Sequence, residues 1–72
     1  IDIAAIKPEN LNPSQKTALK DTANKRRLEN FINGSESSSA AKDFIGKTFG
    51  IDVPINRAVE LSKKLVDLSG QV

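Results

Sequence analysis

Seventy-two residues, 38% of them apolar and 28% charged, suffice for one small core and no more. There is no Cys, which excludes a disulfide framework and a thiolate metal site. There is no His either, which removes the commonest general base and the commonest neutral metal ligand. Eleven basic against nine acidic residues leave a net charge of +2, too mild to announce nucleic acid, and no apolar run approaches the ~18–20 residues of a membrane span.

No secretory leader pattern is present, and the chain opens on Ile1 rather than Met, so it reads as a processed protein or an excised domain. The absence of Cys is compatible with cytosol and secretion alike, and the compartment stays unknown. Residues 1–11, "IDIAAIKPENL", form an N-terminal arm in which Ile1, Ile3 and Ile6 either alternate along an extended segment or share one helical turn. Pro8 ends either arrangement.

Residues 12–33 carry the strongest helix start. Asn12 is a good cap, Pro13 suits the first helical position and Gln15 completes a capping-box spacing, while Gly34 is a natural stop. The apolar pattern within this helix changes phase. Leu19 and Ala23 share one face, whereas Leu28, Phe31 and Ile32 fall on another, with the wholly polar "NKRR" between. Either the helix bends near Asn24 or its two ends touch different partners.

"GSESSS", residues 34–39, is the one low-complexity stretch and reads best as a row of candidate helix caps. Asn33-Gly34-Ser35 also spells a glycosylation acceptor, which carries meaning only in a secretory eukaryotic protein. Residues 38–49 have helical apolar spacing through Ala41, Phe44, Ile45 and Phe49, closed by Gly50. Residues 54–69 form the clearest amphipathic helix, with Ala58, Leu61, Leu65 and Leu68 in one stripe and Glu60, Lys63, Lys64 and Asp67 opposite. These elements predict a single all-α domain over 1–72: a three-helix bundle with an N-terminal arm, or a four-helix one if the first helix breaks at Asn24.

Chemistry is sparse. "AAKDFIGKT", residues 40–48, has the outline of a phosphate-binding loop with Ala41 in place of the first glycine. Such a loop needs a preceding strand and glycines that let the backbone wrap a phosphate. Here serines precede it, and Phe44 and Ile45 would face a triphosphate, so an amphipathic helix accounts for the same residues and no nucleotide is expected. Gly46 alone sits awkwardly inside that helix and predicts a second helix crossing closely there. The acids are spread singly, no serine has a His partner, and no calcium-loop pattern occurs, so neither catalysis, cofactor nor metal is expected.

Two functional readings remain. The leading one is a non-catalytic protein–protein interaction or assembly domain, with another protein or a second copy as partner. Its one positive feature is that apolar residues Ile55, Val59 and Val66 lie beside the main stripe of the last helix, while the basic residues Lys16, Lys20, Arg26 and Arg27 would meet an acidic protein surface or, under the second reading, phosphates. Asp21 and Glu29, four residues either side of Lys25, partly neutralise the basic face. The second reading is a DNA-binding module. Residues 42–60 resemble a helix-turn-helix through Phe49-Gly50-Ile51, and Asn56 and Arg57 are the residues placed to meet bases. Asn56 departs from that pattern where an apolar residue is wanted, and Asp52 carries the wrong charge for a phosphate. The sequence resembles no named family.

Overall fold

The computed structural model describes residues 2–72 as four α-helices and three short 3-10 turns, with no strand among them. In chain order the helices are α1 (Pro13–Lys20), α2 (Thr22–Ile32), α3 (Ser38–Phe49) and α4 (Ala58–Ser69). The 3-10 turns are Ile3–Ala5, Pro8–Asn10 and Ile55–Arg57. The fold is a small all-α bundle of the four-helix kind.

The break that makes it four falls at Asp21, three residues before the Asn24 expected from the sequence. Its cause is the phase change. Leu19 and Leu28 are both fully buried, yet nine residues at 100° each would put them about 180° apart on one straight helix. Asp21 takes an extended backbone (φ −71°, ψ 120°), ending α1 and starting α2 at a single residue. Its carboxylate accepts from the backbone amides of Ala23 (2.9 Å) and Asn24 (3.4 Å), and the Asn24 side chain donates through Nδ2 to the Ala18 carbonyl at 3.0 Å. The free donors of the new helix start are thereby met, and the Ala18 carbonyl, which also accepts from the Asp21 N–H at 3.3 Å, is tied to both helices.

At the head of α1, Gln15 N–H donates to Asn12 Oδ1 (2.8 Å) and Asn12 N–H donates to Gln15 Oε1 (3.0 Å), a complete capping box. The same Gln15 side chain donates through Nε2 to the Phe49 carbonyl at 2.8 Å, tying the start of α1 to the end of α3. Of the serine row, Ser37 is the cap of α3, accepting from the Ala40 amide at 3.1 Å. Gly50 closes α3 in the left-handed region (φ 69°), which a side chain would resist. Lys42 then holds the following connection through Asp52 (3.0 Å) and the Val53 carbonyl (2.9 Å).

α4 is the central helix. It packs most extensively on α2, and also on α3, α1 and the Ile3–Ala5 turn. Its buried positions Ala58, Leu61, Ser62, Leu65 and Leu68 recur every three or four residues, so one face is wholly inside. Ser62 keeps that face dry by donating to its own helix carbonyl at Ala58 (2.9 Å). No buried side-chain polar atom lacks a partner among the described residues.

The core departs from the apolar faces read in the sequence in two ways. Ile3, Leu11 and Val53, all from non-helical segments, are buried, because the arm and the α3–α4 connection close the open sides of the bundle. Ile32, Phe44 and Val59 are only half-buried, and Ile55 is exposed in the turn before α4 rather than on its inner face. The expected close crossing at Gly46 is absent. Gly46 is exposed, and a Cβ there would meet only the Ile51 carbonyl, at 4.0 Å. Nothing in the structure explains this glycine.

Candidate interaction surface

α2 buries Leu28 and Phe31 and turns the next strip of its surface toward an open cleft of about 570 Å³. It is lined by Thr22, Ala23 and Asn24 at the start of α2, by Arg26, Arg27 and Asn30 further along it and, from α3, by Phe44. The tight turn at Gly34 explains why Arg27 and Phe44 meet. Each stands five or six residues from its end of the α2–α3 connection, about 8–9 Å along its helix at 1.5 Å per residue.

Arg27 is fixed from three sides. Its guanidinium carbon lies 4.9 Å from the Phe44 ring centre and 5.4 Å from that of Phe31. The two rings pack on each other at 5.6 Å, tilted by 55°. Its Nε donates to Glu36 Oε2 at 2.9 Å. A cation over an aromatic face contributes about 0.5–1 kcal/mol at a partly exposed site, so the ring contacts fix the guanidinium as firmly as the ion pair does. Asn30 Nδ2 donates to the same Glu36 oxygen at 3.3 Å.

The electrostatics of the molecule are uneven. Five of the eleven basic residues and two of the nine acids lie between Pro13 and Ile32. Lys16, Lys20, Lys25 and Arg26 make no ion pair among the described residues, whereas Lys42, Lys47 and Arg57 pair with Asp52, Asp43 and Glu60. The Asp21 carboxylate is engaged with the start of α2, and neither Asp21 nor Glu29 forms an ion pair with Lys25 among the described residues. Lys20 and Arg26 are exposed, and Lys16 and Lys25 half-buried.

The other sequence-proposed residues are not gathered into one place. Val66 packs partly on the core and Val59 is half-buried, so α4 leaves little apolar surface uncovered; Ile55, at 50% exposure, is the single large exposed hydrophobic among the described residues. Asn56 is exposed, and Arg57 is half-buried and bonded to Glu60 at 3.1 Å. A groove-reading helix needs a free, positively charged face. α4 is instead covered by three other helices, and its uncovered positions, Glu60, Lys63 and Asp67 beside the half-buried Lys64, balance in charge. A second, shallower hollow of about 320 Å³ lies between Lys42, Gly46, Lys47 and Ile51, where both cations are already paired.

No group of His, Cys, Asp and Glu among the described residues is arranged to hold a metal ion, and no helix is long and apolar enough to cross a membrane. Family models, characterised proteins and solved structures yield no match to this chain, so its role is argued from its own geometry. Sequence reasoning found Arg26 and Arg27 but not Asn30, Glu36 or Phe44. Arg27 and Glu36 are nine residues apart, which is no helical spacing. The signal that joins them is the Gly34 turn, which folds the chain back on itself.

Proposed function

We propose that this chain is a non-catalytic interaction domain that binds an acidic protein segment on the exposed face of α1 and α2. One observation carries the reading: Lys16, Lys20, Lys25 and Arg26 make no ion pair among the described residues, and Arg26 lines a cleft together with Arg27, whose guanidinium lies over the Phe44 ring. Arg and aromatic side chains dominate the energetics of protein contacts, because they offer large, preorganised surface with directional donors. Complementary charge adds rate and selectivity. The apolar positions on α4 contribute less to this reading than to the core, which favours α1 and α2 as the contact surface.

The test is a titration of isotope-labelled protein with a 12-residue peptide of Asp and Glu, followed by amide chemical shifts at 50 and 300 mM NaCl. Shifts centred on Lys16–Asn30, with Glu36 and Phe44, weakening with salt, are expected. No shifts at low salt would refute the reading, as would shifts centred on α4. A duplex DNA of equal charge, run in parallel, must bind more weakly than the peptide. Tighter DNA binding through Asn56 and Arg57 would move the function to the helix-turn-helix reading.

A further inference from the structure

The loop between α2 and α3 places a carboxylate of this chain against Arg27 and Asn30, two residues that line the basic cleft. Both donors that hold it, Arg27 Nε and Asn30 Nδ2, converge on Glu36 Oε2. The backbone needs no such contact to make the turn. Asn33 Oδ1 accepts from the Ser35 amide at 2.9 Å, the Glu36 amide donates to the Asn30 carbonyl at 3.2 Å, and Ser37 caps α3. The Glu36 side chain is 27% exposed and Arg27 45% exposed, so the pair sits at the cleft mouth, open to exchange with an incoming group. Exposed pairs of this kind hold by only about 0–1 kcal/mol, weak enough for a second carboxylate to displace.

We infer that Glu36 is an internal stand-in for the partner, and that the Arg27–Asn30 cradle is a carboxylate receptor which an acidic side chain of the bound protein takes over. The inference rests on the function proposed above and adds which donor pair is contested and what contests it. Arg27 is suited to this role because the rings of Phe31 and Phe44 contact its guanidinium separately from its bond to Glu36. Arg26, free beside it, supplies a second positive charge for the incoming chain. Glu36 thus lowers the affinity of the resting protein and keeps Arg27 from unselective anions.

The experiment compares affinity for the same acidic peptide in the unaltered protein, in Glu36→Gln, and in Glu29→Gln. The glutamine keeps a side-chain oxygen for Arg27 and Asn30, so the loop stays folded, but it removes the competing charge. Glu29→Gln makes the same change in net charge on an exposed α2 residue outside the cleft. The expected result is at least threefold tighter binding for Glu36→Gln and less than half that gain for Glu29→Gln. Equal gains, or no gain with Glu36→Gln while the unaltered protein binds, overturn the internal-competitor role and leave the proposed function standing. No binding by any of the three proteins overturns both.

Discussion

Replacing Gly46 with alanine should stabilise the protein, and the size of the gain follows from local geometry. Gly46 is the ninth of the twelve residues of α3, its φ is not positive, and the nearest atom outside its own turn is the Ile51 carbonyl, 4.0 Å from the position a Cβ would take. That is ordinary contact, so no neighbour has to move. Glycine inside a helix costs about 0.5–1 kcal/mol relative to alanine, mainly through the freedom it has in the unfolded chain. In a domain of this size about 1 kcal/mol corresponds to roughly 4–8 °C in Tm, so Gly46→Ala should raise Tm by about 2–8 °C. Thermal and urea unfolding followed by circular dichroism would measure it, with an unchanged urea slope showing that the unfolded state has not altered. A lower Tm, or none gained, would refute the assumption that α3 is regular and open at this position.

Gly50→Ala should act in the opposite direction. Space is equally open there, but φ is +69°, so a cost of about 1–2 kcal/mol is expected from backbone conformation alone in the same melts. Leu65→Ala removes a fully buried side chain from the central helix and should cost about 2–5 kcal/mol, a large share of a total stability of about 5–15 kcal/mol. Ser62→Ala should be nearly neutral in urea unfolding despite complete burial, because its hydroxyl bonds only to the Ala58 carbonyl of its own helix. Asp21→Ala removes the cap of α2 and should cost about 0.5–2 kcal/mol, with amide exchange rising first at Ala23 and Asn24.

The all-α class and the start of α1 were legible because their causes are local. Asn12, Pro13 and Gln15 specify a helix start through bonds spanning three residues. The break between α1 and α2 was visible as a phase change from Leu19 to Leu28, yet its position was not. Asp21 is chosen over Asn24 because its carboxylate reaches two amides beyond it, a competition between caps that periodicity does not rank. Leu11 and Val53 escaped notice, and Ile3 was seen only as an apolar residue of the arm, because their burial depends on where chain outside the α-helices is laid across them. The candidate surface divides in the same way. Arg26 and Arg27 are conspicuous in the sequence, but the rings that hold Arg27 and the carboxylate that meets it arrive only through the Gly34 turn. The apolar residues of α4 are more covered than a three-helix reading suggests, because the arm and three other helices pack on α4 where a three-helix bundle would supply two.

The central claim, that α1 and α2 form the contact surface, is tested most directly by reversing charge at two places. Lys20→Glu with Arg26→Glu, and separately Lys63→Glu with Lys64→Glu, change the net charge equally, and affinity for the acidic peptide is measured for each at 50 mM NaCl. A loss of at least tenfold for the first pair, against less than threefold for the second, is the predicted result. Equal losses would mean that the peptide responds to net charge alone and that α1 and α2 hold no binding surface.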